Sequence, residues 1–169
     1  MTTPVREGDL LWTPSAERVA GANLTAFTSW LAAERGQRFD DYHALWRWSV
    51  EDLEGFWQAV WDYCGIRASV APQRVLGRRA MPGAEWFPGA RLNYAQHVLR
   101  REQPGADALL FLSETSPVAG LDWADLVGQV RIVGTRLRGM GVRPGDRVAS
   151  YLPNIPQAVI AMLATTSIG

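Results

Sequence analysis

Residues Gly141 to Gly169, GVRPGDRVASYLPNIPQAVIAMLATTSIG, constrain the fold more than any other stretch of the chain. They spell a turn (Arg143, Pro144, Gly145, Asp146), a mostly apolar strand from Arg147 to Leu152, a loop punctuated by Pro153, Asn154 and Pro156, and a helix from about Gln157. The helix is apolar nearly all round, with Ala158, Val159, Ile160, Ala161, Met162, Leu163 and Ala164 in succession. Strand and helix therefore both expect burial on more than one side. A parallel strand needs a second strand beyond its crossover helix, and that helix needs a sheet to lie on. The sequence stops at Gly169, so it reads as the incomplete opening of a larger α/β protein.

The same alternation starts upstream. A composition shift at Arg101 to Asp107 (REQPGAD) marks the best candidate boundary, Ala108 to Leu112 suits a short buried strand, and Glu114 to Gly120 reads as a polar turn around Pro117. Asp122 is placed to cap the next helix with Asp125 at its N3 position. That helix should bury Leu126, Val130, Val133, Leu137 and Met140, and Gly139 and Gly141 should end it. Strand, helix, strand, helix is a βαβα order, the mark of a mainly parallel sheet.

The first hundred residues are different in kind. Residues 1 to 22 read as an arm that packs by Trp12, and Asn23 as the cap of a helix burying Leu24, Phe27, Trp30 and Leu31, with Gly36 as its stop. After an aromatic segment (Phe39, Tyr42, Trp46, Trp48), Ser49 and Asp52 resemble a capping box. The helix beyond it carries Leu53, Phe56, Trp57, Val60 and Trp61 at i, i+3, i+4, i+7, i+8. Aromatics on a helical period point to core packing rather than to sugar or cofactor stacking. Arg67 to Arg91 is irregular, and its Arg74, Arg78 and Arg79 suit a solvated loop better than a phosphate site. Pro88-Gly89 marks a turn, and Asn93, with Gln96 three residues on, caps a helix through Tyr94, His97 and Val98.

The chemistry available is narrow. The 17 basic and 17 acidic residues cancel and are spread along the chain, which argues against a nucleic-acid or polybasic membrane partner. Every basic residue is arginine, so neither a Walker-type phosphate loop nor Schiff-base chemistry can be completed. Cys64, the single cysteine, excludes an internal disulfide and suits a reducing cytosol; its place beside a helix end reads as a small buried hydrophobe, not a nucleophile. His43 and His97 lack ligand spacing and read as ordinary helix or surface residues. The start has no signal-peptide core, and no apolar run nears the ~20 residues that cross a bilayer, so a soluble, cytoplasmic protein is expected. Gly139, Gly141 and Gly145 follow a helix rather than a strand, so they form a cap and a turn and not a dinucleotide loop. No catalytic, cofactor-binding or metal-ligating residue can be assigned.

Four stretches carry a resemblance: Leu11 to Leu31, Tyr42 to Ser69 (YHALWRWSVEDLEGFWQAVWDYCGIRAS), Met81 to Leu99 (MPGAEWFPGARLNYAQHVL), and Gly141 to Gly169. With Leu121 to Leu137 they cover nearly the whole chain, which resembles the N-terminal part of acetoacetyl-CoA synthetases, members of the adenylate-forming acyl-CoA synthetase superfamily. The Trp-rich first half and YLPNIPQAVIAMLATTSIG are closer to this branch than to acetyl- or propionyl-CoA synthetases.

The resemblance implies an α/β fold in which a helical, Trp-rich N-terminal extension, residues 1 to about 105, precedes residues 106 to 169, the start of the AMP-binding domain. It also implies a reaction in which acetoacetate and ATP give an acyl-adenylate and coenzyme A then gives acetoacetyl-CoA, with Mg²⁺ offsetting phosphate charge. The family's phosphate loop, acidic ligands and catalytic lysine lie beyond Gly169, so no site residue carries over and the chain alone is expected to be inactive, binding none of ATP, Mg²⁺ or CoA. Two alternatives stand beside this reading: a ligase of the acetyl or propionyl type, and a non-enzymatic module that docks on a protein partner through its unfinished sheet edge and apolar last helix.

Overall fold

The computed structural model describes residues 5–169, so the first four residues of the expected arm lie outside the described residues. Two compact units result: residues up to Ile66 with Arg74–Trp86, and Arg67–Gln73 with Phe87–Gly169.

The first unit holds four helices, α1 (Ala16–Ala20), α2 (Asn23–Glu34), α3 (Tyr42–Glu51) and α4 (Leu53–Tyr63). The arm is thus partly helical: Ser15 accepts from the Arg18 N–H and starts α1. Trp12 does not pack as expected; it is 64% exposed, with the Arg18 guanidinium 5.8 Å from its ring centre. Asn23 is not a cap, because Ala22 takes the extended cap backbone and Asn23 is already the first helical residue. Gly36, at φ 65°, follows α2 as expected.

The expected capping box at Ser49 is also displaced. The aromatic segment is itself helix α3, started by Asp41 accepting from the Ala44 N–H at 2.8 Å, and Ser49 lies inside it with its hydroxyl donating to the Trp46 carbonyl. Asp52 is the joint. Its N–H closes α3 on the Trp48 carbonyl, and its Oδ1 opens α4 by accepting from the Gly55 N–H at 2.9 Å. Glycine at 55 leaves room for this cap, since a Cβ there would stand 2.1 Å from the Asp52 carboxylate and push it aside. The core of this unit is Phe27, Leu31, Leu45 and Ala59, walled by Trp30, Phe39, Trp48, Phe56 and Val60. Phe27, Trp30 and Phe56 are thus in the core or at its edge as read, whereas Trp57 and Leu24, also read as core, are exposed. Cys64 is exposed, a correction with a local cause: it is the C-cap of α4, where the chain leaves the helix through Gly65 at φ 58°.

In the second unit, residues 67–73 lie against the segment after Phe87, with Ser69 N–H donating to the Arg91 carbonyl and Arg91 N–H to that of Val70. Then come α5 (Tyr94–Leu99), β1 (Asp107–Ser113), β2 (Ser116–Asp122), α6 (Trp123–Gly139) and α7 (Pro156–Thr166). The stretch read as a polar turn is mostly strand β2, antiparallel to β1, with Leu110 opposite Gly120 and Phe111 opposite Ala119. Pro117, Ala119 and Gly120 hide it, because none has strand propensity; the Asp107 carboxylate occupies the space that a Cβ at Gly120 would take, 2.4 Å away.

Residues 147–152 form no strand, since a strand is defined by its hydrogen-bonded neighbour and none pairs with them among the described residues. The α/β class holds, but its opening is an antiparallel hairpin, a helix, an extended segment and a helix rather than βαβα.

Helix α6 begins as expected, with Asp122 accepting from the Asp125 N–H at 2.7 Å. It ends in a Schellman motif, in which Val142 N–H reaches the Leu137 carbonyl and Gly141, at φ 96°, bonds that of Arg138. Met140 sits in that terminus and is 73% exposed, not buried. The core is Ala95, Leu126, Val130, Ile160, Leu163 and Ala164, so α7 buries its i, i+3, i+4 face on α6 rather than several sides. Gly134 faces α7 in this packing, and a Cβ there would meet the Ser167 hydroxyl and the Ala164 carbonyl at ordinary contact distances of 3.5 and 3.6 Å.

Candidate functional site

The polar side chains show what the chain can and cannot do chemically. Asp41, Asp52 and Asp122 cap helices, and Asp9 and Asp146 accept from the Arg6 and Arg143 N–H groups to close turns. Asp62 pairs with Arg35 and also accepts from Gln58. Glu85 lies 3.7 Å from Arg78, one of the three arginines read as a solvated loop; Arg74, Arg78 and Arg79 are all exposed. These carboxylates are engaged in ending and joining elements, and where several line one groove, as Glu51, Asp52 and Glu54 do beside Arg79, Asp52 is committed to the cap of α4. Among the described residues no group of three His, Cys, Asp or Glu gathers to hold a metal, and none of the described helices is long and apolar enough to cross a membrane.

His43 and His97 are not brought together. His43 stands edge-on to the Tyr42 ring in α3. His97 is engaged on both ring nitrogens: Nδ1 donates to the Asn93 carbonyl and Nε2 accepts from the Arg67 N–H, each at 2.9 Å. Asn93 caps α5 as read, its Oδ1 accepting from the Gln96 N–H at 3.0 Å. Its amide Nδ2 also donates to the Thr166 carbonyl at 2.8 Å, tying off the end of α7. The sequence carries no signal for these second bonds, because their partners lie 73 and 30 residues away.

Two open grooves flank α7 in the second unit. One, of about 280 Å³, is lined by Val148, Ser150, Ala158, Met162 and Thr165; the other, of about 140 Å³, lies between the β1 side chains and Asn154–Pro156. Neither is lined by an ionisable side chain. The first unit has an apolar cavity of about 350 Å³ among Phe27, Tyr42, Leu45, Trp46 and Phe56, with Cys64 at its edge. What the second unit offers is a scaffold: a hairpin and an extended segment held over a packed helix pair, with Leu110, Leu112, Val118 and Tyr151 exposed.

Residues 42–98 match the family model for the acetyl-coenzyme A synthetase N-terminus, and residues 96–169 match that for the AMP-binding enzyme. An acetoacetyl-coenzyme A synthetase of Rhizobium meliloti is 37% identical over 94% of this chain, and a malonamoyl-CoA synthetase of Penicillium aethiopicum is 34% identical over 95%. The solved acetoacetyl-CoA synthetase from Streptomyces lividans is 51% identical and superimposes with a TM-score of 0.83 over 94% of the chain. The chain spans about a quarter of the length of these relatives, 24% of the R. meliloti protein and 25% of the solved one. With two family models meeting at residues 96–98 and the fold of a solved relative reproduced over 94% of this chain, the chain is similar along nearly all its length to one quarter of an acetoacetyl-CoA synthetase.

Proposed function

We propose that the full-length protein is an AMP-forming acetoacetate–CoA ligase. The acetoacetate carboxylate attacks the α-phosphorus of ATP and expels pyrophosphate; the coenzyme A thiol then attacks the acyl carbon and expels AMP, leaving acetoacetyl-CoA. The observation that carries this reading is the 51% identity to a solved acetoacetyl-CoA synthetase over 94% of the chain.

The residues present do not fit a site for ATP, Mg²⁺ or coenzyme A. There is no lysine in the sequence, no metal-binding cluster among the described residues, and no ionisable group lining the grooves beside α7. The contribution of this stretch is architectural. Residues 1 to about 105 act as the N-terminal extension and those from about 106 open the AMP-binding domain, a division supported by the handover between family models at 96–98. We place the protein in the cytoplasm, where the Cys64 thiol stays reduced, with small-molecule substrates and no nucleic-acid or membrane partner.

Acid-dependent exchange of pyrophosphate into ATP tests the proposal. The full-length protein is expected to exchange with acetoacetate in preference to acetate, propionate or malonamate, and the 169-residue chain not at all. Exchange driven by one of the other acids and not by acetoacetate overturns the substrate; exchange by the short chain overturns its architectural role.

A further inference from the structure

The geometry points to His97 as an acid-released clasp that fastens residues 67–73 to α5. A carbonyl oxygen only accepts and an amide N–H only donates, so the two bonds of this ring fix its state: Nδ1 carries the proton given to the Asn93 carbonyl, and Nε2 is bare toward the Arg67 N–H. The ring must be neutral. An imidazolium carries a proton on both nitrogens, so its Nε2–H would oppose the Arg67 N–H and that bond would be lost, while the bond to Asn93 would survive.

The position makes the loss local. Arg67 opens the segment whose backbone is held by the bonds between Ser69, Val70 and Arg91 and, at its far end, by Gln73 N–H donating to the Pro88 carbonyl. On the other side, the Asn93 amide reaches the Thr166 carbonyl without involving the imidazole. The ring is thus one link in a chain from residue 67 to the end of α7, and only its first link is sensitive to a proton. Of the elements against α5, α7 has no charged side chain and α6 carries Asp125, Arg131, Arg136 and Arg138; the paired segments bring Arg67 and Arg91, and the residues after α5 bring Arg100, Arg101 and Glu102. The clasp rests on this chain's own bonds and is independent of the ligase reading.

Hydrogen exchange of the full-length protein, corrected for the intrinsic pH dependence of amide exchange, tests it. Protection of peptides covering residues 66–73 is expected to fall roughly tenfold once acid has protonated the ring, the size of one lost hydrogen bond, while peptides from α6 and α7 keep theirs. His97→Gln places a carbonyl that accepts without titrating, so it should hold protection at both ends of the range; His97→Phe should lack it throughout. Protection in the parent protein that does not change with pH, or the same step persisting in His97→Gln, overturns the clasp. Should His97→Phe fail to fold, His97→Gln decides alone.

Discussion

The two compact units are built on different packing economies. The first fills its interior with rings: Phe27 lies against Trp30, Phe56 and Tyr63 at centroid distances of 6.2, 6.2 and 5.0 Å, and Trp48 bridges Phe39 and Phe56. Most of these rings stay partly exposed, and Trp46 and Trp57 are 52% and 39% exposed. The second uses aliphatic and small side chains on three helices, with Leu126 and Leu163 at 2% exposure and Ala95 and Ala164 at zero. A ring contributes by area and edge contacts even when half covered. Close-packed aliphatics contribute only where they are enclosed, and so tolerate less change.

The largest effect is expected in the second unit. Leu163→Ala leaves a cavity between α6 and α7, and urea unfolding should show a loss of about 2–5 kcal/mol. A loss below that range would mean the helix pair is looser than its burial implies. Next is Asn93→Ala, which removes a cap and a long-range bond together; about 1–3 kcal/mol should be lost, with faster amide exchange near both Gln96 and the end of α7.

Phe27→Leu sharpens the contrast from the other side. It nearly conserves volume but removes three ring contacts, so about 1 kcal/mol should go; a cost equal to that of Leu163→Ala would erase the distinction between the units. Smallest, and opposite in sign, is Gly134→Ala. Its new Cβ finds ordinary contact distances of 3.5 Å or more, so the relief of helical glycine entropy should stabilise by about 0.5–1 kcal/mol, read as a higher urea midpoint.

Legibility followed the range of the interactions. Asp122 with Asp125 and Asn93 with Gln96 are three residues apart, and both caps could be read from the sequence. The face Leu126, Val130 could be read because burial repeats with the helix, whereas the uniformly apolar α7 hid its buried face at Ile160 and Leu163. Where two local signals competed, the wrong one stood out: Ser49 resembled a cap, yet Asp52 was better placed because Gly55 lets its carboxylate approach. Strand β2 was invisible because its pairing with β1 overrides the low propensity of Pro117 and Gly120. In the second unit, the remaining bonds of Asn93 and His97 span 73 and 30 residues, and no window of sequence contains both partners.

Asn93 shows why one side-chain type suits its place. Its oxygen faces the electropositive beginning of one helix while its nitrogen faces the electronegative finish of another. A carboxylate would satisfy the first and be repelled by the second; an ammonium would do the reverse. A neutral group with opposed poles is what such a crossroads selects, so exchanging Asn93 for Asp would uncouple the two helices by altering a single atom.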